Sequence, residues 1–378
     1  MSNSLSTTTA IAPPDPVPSK SEIQAVIPAH CFERKLPTAL GYTAFSLIAT
    51  ILPGILAWQF LPLSLIWLPV WLAYAFVSGT AAVGVWVIAH ECGHDAFSDN
   101  KRLQNGIGFV LHSALLVPYF SWQRSHAIHH AKTNHVIDGE THVPKRVDTE
   151  AGERALGLRR RAGSKVHTAA GIAARLLFGW PVYLLTGATG GPERGVTNHF
   201  WPLAPFSKAL FPARWAQRVI ASAIGVLTVV ALLAIWAIAA GSIMPVLALY
   251  VAPYLVCNAW LVAYTWMHHT SADTPHYDEP DWSYVRGAFC SIDRPYGRVF
   301  DLVHHHIGST HVAHHLFARI PHYHAVEATE ALRNAYPELY RYDPTPIPKA
   351  LWQISKECVA VTETSDGWRY TATKTTAA

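Results

Sequence analysis

The chain has 378 residues, of which 51% are hydrophobic and only 14% charged, and its mean hydropathy is +0.17. A soluble domain carries about 25% charged residues, so the composition argues against a soluble globule and more strongly against disorder. The net charge of +4 provides no clustered basic face of the kind nucleic-acid binding needs, so no nucleic-acid partner is expected.

The chain begins with a polar, Pro-rich stretch in which no basic segment leads into an apolar core. It is therefore not read as a secretory signal, and residues 1–35 are expected to form a cytosolic tail. Two long stretches without Asp, Glu, Lys or Arg follow, Leu36 to Ala89 and Val219 to Ala272, each of 54 residues. As helix each would extend about 80 Å, whereas one bilayer crossing takes about 20 residues. Each stretch is thus predicted to be a transmembrane hairpin, at 36–89 and 219–267. The turns are expected at Leu61-Pro62-Leu63-Ser64 and at Gly241-Ser242 with Pro245. Internal prolines do not exclude spanning helices, because neighbouring groups can re-satisfy the backbone.

Two hairpins place the N-terminus, residues 90–218 and residues 268–378 on one side. Every Lys and Arg lies there, and the positive-inside rule makes that side cytosolic. Two further apolar segments fall in the central region. Ile107 to Phe120 is too short to span and is expected to lie in the interface or re-enter. Ala169 to Gly187 is interrupted by Arg175 and bent at Pro181, and is expected to be an interfacial helix. The five cysteines (Cys31, Cys92, Cys257, Cys290, Cys358) include no C-x-x-C pair and are read as free thiols.

Histidine is the second anomaly, with 22 residues against 25 Asp plus Glu. Nineteen lie in two windows, eight between His90 and His142 and eleven between His268 and His324. Both windows start where an apolar block ends. Three clusters are regularly spaced: His90-Glu91-Cys92-Gly93-His94, His126-Ala127-Ile128-His129-His130 and His311-Val312-Ala313-His314-His315. Positions i, i+3 and i+4 share a helix face, so each cluster is expected to aim its imidazoles at one point. Eight converging imidazoles call for a metal that seeks neutral nitrogen. They are too many for one tetrahedral zinc, and suit two ions of borderline softness such as iron. Glu91, Asp95 and Glu140 lie close by in sequence and are read as carboxylates that orient ring N–H groups.

These motifs resemble the membrane fatty-acid desaturases, specifically the acyl-lipid Δ12 (ω6) type, whose boxes H-x-x-x-H, H-x-x-H-H and H-x-x-H-H occur here in that order. The segment Ile27 to Arg34, the box HECGHDAFS, Leu111 to Trp122, Thr274 to Tyr277, Arg286 to Ala288 and Thr310 to Thr329 are also family-like. The resemblance covers about residues 25–350. It implies an all-α integral membrane protein of four transmembrane helices with a cytosolic cap, holding a non-haem di-iron centre. The ligands it implies are His90, His94, His126, His129, His130, His311, His314 and His315, with His269 after the last membrane helix as a further ligand. It implies two Fe, with electrons from NADH through cytochrome b5 and its reductase, and O2 as oxidant. The substrate would be an acyl chain on a membrane phospholipid, and the setting the endoplasmic reticulum membrane. A homodimer is compatible with all of this.

Three positions depart from the family pattern: His306 stands where Asn is usual, His142 replaces an aromatic residue, and Gly139 replaces Asp. His306 is placed near the metal centre by this comparison. No H-P-G-G segment occurs, so the electron donor is expected to be a separate protein. Within the family, Glu91 in the first box leans toward Δ12 chemistry. The competitors are an ω3 (Δ15) or bifunctional Δ12/Δ15 desaturase, and a hydroxylase, acetylenase or epoxygenase acting at C12. A His-rich metal transporter would need ionisable ligands inside its spans, and the predicted spans hold none.

Overall fold

The computed structural model describes residues 17–373. Five of its helices are long and apolar enough to cross a membrane. The first hairpin pairs α2 (Leu36–Phe60) with α3 (Leu68–Gly93), after a short α1 (Lys20–Val26). The turn between them falls at 61–67, as the sequence suggested. Outward residues of α2 such as Ile48, Ile51 and Ile55 are exposed, as expected for a helix facing lipid. By contrast, α3 is buried along most of its length. It can sit at the centre because small residues line it. A Cβ on Gly79 would stand 2.3 Å from the Pro253 carbonyl oxygen, and one on Gly84 would stand 2.4 Å from that of Val303.

Helices α4 (Lys101–Ala114) and α5 (Tyr119–Ala131) follow. The segment expected to be one interfacial or re-entrant piece, Ile107 to Phe120, is split between them. Leu116 takes a positive φ of 54° and Pro118 precedes α5, so the chain turns there. Next come α6 (Glu150–Ala162) and α7 (Ser164–Thr186). The latter is longer than expected and, by length and composition alone, could cross a membrane. Arg175 does not interrupt it, because the guanidinium lies over the Trp266 ring, 4.5 Å from its centroid.

Two more apolar helices, α8 (Ala216–Ala239) and α9 (Met244–His269), are joined at the expected Gly241-Ser242 turn and meet each other near that turn. Helix α9 packs on α3 and α7, and α8 packs on α4 and α5. The cap adds α10 (Tyr284–Phe289), α11 (Arg298–Val303), α12 (His311–Leu316), α13 (His322–Ala335) and α14 (Ile347–Glu357). It closes with an antiparallel hairpin of β1 (Ala360–Thr364) and β2 (Gly367–Thr371), in which Ala360 pairs with Thr371. The fold is therefore not purely helical. The N-terminal segment also departs from a tail. Residues 1–16 lie outside the described part, but Ile23, Ile27 and Cys31 are buried against Val312, Leu316 and Leu332 of the cap. Ile23 lies on α1, Ile27 in the extended residue that follows it and Cys31 in the next 3-10 turn, so the bend between the two turns is what brings these side chains onto the cap. All five cysteines are free and buried.

Candidate metal centre

Four elements deliver the histidines. The C-terminal end of α3 carries His90, with His94 at its cap; α5 carries His126, His129 and His130; α9 ends on His269; and α12 carries His311, His314 and His315. All nine sequence-designated histidines are brought together, but not at one point. One group gathers His90, His94, His126, His130 and His314, with candidate ligand atoms within 4.8 Å of one another. A second gathers His129, His269 and His315 by the same measure. His311 joins the second group, its Nε2 lying 2.9 Å from that of His269 and 3.1 Å from that of His315.

The expectation that each box aims at one point is thus corrected, and helix geometry explains why. On α5, His126 and His130 are one turn apart and face the first group, while His129 is rotated by about 100° and faces the second. On α12 the pair His311 and His315 faces the second group and His314 the first. The H-x-x-H-H spacing is what lets one short helix serve two neighbouring sites.

The rings are neutral. Burial pushes His94 down to about 3 and His129 down to about 4, and holds His126, His130, His311, His314 and His315 well below the ordinary imidazole range. A neutral imidazole needs one nitrogen with a free lone pair to bind metal. In two cases the tautomer follows from the partner. His129 Nδ1 donates to the Glu140 carbonyl oxygen at 2.7 Å. His315 Nδ1 lies 3.0 Å from Thr133 Oγ1, whose hydroxyl donates to the His129 carbonyl oxygen. Both Nε2 atoms are therefore left as acceptors. His94 Nε2 and His314 Nε2 are buried with no hydrogen-bond partner in the protein. The Nε2 atoms of His90 and His126 stand 2.9 Å apart, and one proton at most can be shared there. This nitrogen-only donor set, with orphaned inward nitrogens, fits a pair of borderline-soft cations.

The surrounding carboxylates act differently from the expectation. The Glu91 carboxylate bonds to no box imidazole, although its backbone carbonyl accepts the His94 N–H at 3.1 Å. The carboxylate accepts the backbone N–H of His322 and the His322 Nδ1–H at 2.5 and 2.7 Å, tying α3 to α13. Asp95 accepts from Gln104 Nε2 at 2.5 Å and pairs with Lys101 at 3.3 Å. It fixes the turn after the first box and does not orient a ring. Glu140 does hold a ring, but through its carbonyl oxygen. Its buried carboxyl, pushed up to about 7 by desolvation, accepts from Tyr183 Oη–H and pairs with Arg194 at 3.0 Å. His306 is half-buried, with its ring near Ser309, and the deeply buried neighbours are His304 and His305.

Sequence reasoning missed Thr133 and Thr141, single hydroxyls beside His315 and His129. It also missed Asp293, whose carboxylate accepts the Val312 backbone N–H at 2.8 Å and so anchors α12. None of these has a local signature, because each acts across more than ten residues of chain.

Paired imidazole groups beside five helices of membrane-crossing length and composition are compatible with a metal centre in a membrane protein. The family model for fatty acid desaturases matches residues 65–346. The chain is 40% identical over 358 residues, covering 91% of it and 88% of the relative, to the Delta(12) fatty acid desaturase of Mortierella alpina. It is 39% identical over 355 residues to the omega-6 fatty acid desaturase, endoplasmic reticulum isozyme 2, of Glycine max (91% and 87% covered). It is 38% identical over 342 residues to the oleoyl-12-hydroxylase of Ricinus communis (90% and 86% covered). The chain belongs to the fatty acid desaturase family and is an oxidoreductase of that family.

Proposed function

We propose that this protein introduces a cis double bond at Δ12 of oleoyl chains in membrane lipid, giving linoleoyl chains. The observation that carries the reading is the division of nine imidazoles, six buried and three partly buried, into groups of five and four at the ends of α3 and α9. Its direction toward Δ12 rests on the names of the Mortierella and Glycine relatives.

In this reading two irons are held, one by His90, His94, His126, His130 and His314, the other by His129, His269, His311 and His315. With O2 and electrons, the metal pair supplies the power to remove hydrogen from unactivated methylenes, which no side chain can do. The protein contributes the rest. The Glu140 carbonyl and Thr133 hold His129 and His315 in the ligating tautomer. Glu91 and Asp293 lock α13 and α12 against α3 and the cap. A small cleft lined by Val87, Ile307, Ala313 and Ala325 together with Glu91, His305 and His322 reaches His90 and His314, so in this reading the acyl chain approaches the first group from this side once the cleft widens.

Four crossings, α2, α3, α8 and α9, are part of the proposal. If α7 also crossed, α5 and α12 would lie on opposite sides of the membrane, yet their histidines share both groups. The active site then faces the cytosolic side of the endoplasmic reticulum membrane, where in this reading cytochrome b5 and its reductase deliver electrons from NADH.

The experiment is expression in a host that makes oleate but no linoleate, with the new double bond located by gas chromatography and mass spectrometry. Linoleate is the expected product. The Ricinus relative favours one second reading, hydroxylation at C12, and a hydroxylated 18-carbon product would replace the first.

A further inference from the structure

A second kind of metal-ligating cluster lies outside the histidine centre. His30 and Cys31 sit in a single 3-10 turn, Ala29–Phe32, ahead of α2. His324 and Glu327 sit three residues apart on α13 and so share a face. One ligand atom from each of the four lies within 4.8 Å of the other three. His30 Nε2 is 2.7 Å from a Glu327 carboxylate oxygen and 3.9 Å from Cys31 Sγ. The His30 and His324 rings meet edge to face at 5.5 Å, and His324 Nε2 is buried without a hydrogen-bond partner in the protein.

We infer that these four side chains form a separate tetrahedral site for a zinc-like divalent cation, which fastens the N-terminal segment to the cap. Zinc–sulfur and zinc–nitrogen bonds of about 2.3 and 2.0–2.1 Å put tetrahedral ligands roughly 3.3–3.7 Å apart. The separations of 2.7 and 3.9 Å bracket this range, so small side-chain rotations complete the geometry. One thiolate, two imidazoles and one carboxylate are the donor mixture of a zinc site, whereas the nine-histidine centre is all nitrogen. A surface ion pair alone is the competing account. His30 and Glu327 are each about half exposed, and such a pair contributes little in water. It also leaves unexplained why a thiol and a second imidazole with an unpartnered nitrogen converge on the same point. The two segments are 297 residues apart in sequence, so a bound ion would clip the α1 region, whose apolar face already docks on α12 and α13.

The test uses the full-length protein in detergent, titrated with Co2+ as a spectroscopic substitute for zinc. The expected result is a thiolate-to-cobalt charge-transfer band in the near ultraviolet, lost in Cys31→Ser, together with one zinc per chain beyond the iron by elemental analysis. Cys31 is part of the cap core, so Glu327→Gln, on a half-exposed side chain, provides a second variant. It should weaken Co2+ binding by about tenfold or more with the helical content unchanged. The inference is overturned if folded wild-type protein shows no thiolate band. A band that survives Cys31→Ser would overturn it too, as would equal Co2+ affinity in Glu327→Gln. Zinc lodged among the box histidines has no thiolate ligand and gives no such band, so it would count against the inference.

Discussion

Replacing Gly79 by alanine should disable the enzyme without touching a ligand. At Gly79 the backbone of α9 lies close against α3, and the added Cβ would stand 2.3 Å from the Pro253 carbonyl oxygen and 2.7 Å from Val256 Cβ. Ordinary carbon–oxygen contacts are about 3.3–3.6 Å, so the two helices would have to part by roughly 1 Å. Both obstacles are on or next to backbone, so no flexible side chain can yield. Overpacking of this kind costs about 1–3 kcal/mol. The larger effect is positional. His90 lies eleven residues beyond Gly79 on α3, about 16 Å along a rigid helix, and His269 ends α9. A 1 Å misplacement of a reacting constellation can lower rate by about 100-fold. The assay is product formed per unit of membrane-inserted protein, with bound iron measured in parallel. Gly106→Ala is the control, because nothing lies within 4 Å of that Cβ position on α4, and it should be neutral or slightly stabilising. Wild-type turnover and iron content in Gly79→Ala would refute the claim that close α3–α9 contact sets the spacing of the two imidazole groups.

Alanine at His314 or at His129 removes one imidazole from the first or the second group, and should reduce activity to background while the protein stays in the membrane; retained activity in either would count heavily against a two-metal centre. Glu91→Ala leaves the buried His322 backbone N–H and Nδ1–H without their acceptor, a loss of about 1–3 kcal/mol. A drop in thermal midpoint is expected, and an unchanged midpoint would refute the claim that the Glu91 carboxylate ties α3 to α13. The metal-free protein should be acid-labile. Burial holds His199 at about 3 and His276 and His304 at about 4, against about 6.5 in an unfolded chain. These folded values are depressed, so the unfolded state takes up more protons as pH falls. Their stabilisation is whole above pH 6.5 and lost on descent toward about 4, at up to about 1.4 kcal/mol per pH unit for each histidine. Thermal midpoints measured from pH 7 to about 5 should fall steadily, and a flat profile would show that these rings protonate within the fold.

Much of this was legible along the chain because it depends on local pattern. The absence of charge over residues 36–89 and 219–267 located four apolar helices and the turns between them. The i, i+3, i+4 spacing identified eight of the nine converging imidazoles, and family resemblance identified His269. The misreadings share a cause, which is that solvation and partners are set by distant residues. Arg175 looked like a helix breaker until Trp266 supplied a surface for it. The N-terminal segment read as a tail because its docking face meets apolar residues some 290 positions away.

What the sequence determined by itself was the family, the apolar spans and the set of imidazoles, since composition and spacing are properties of the chain. Only the tertiary structure decided how those imidazoles divide. His129 parts from His126 and His130, and His314 from His311 and His315, because two short helices face each other across the ends of α3 and α9. The same packing decided which groups hold them: the Glu140 carbonyl, Thr133 and the Asp293 carboxylate. A hydrogen bond across the fold costs backbone and side-chain order that no local pattern encodes, so its partners become known only when the elements are packed.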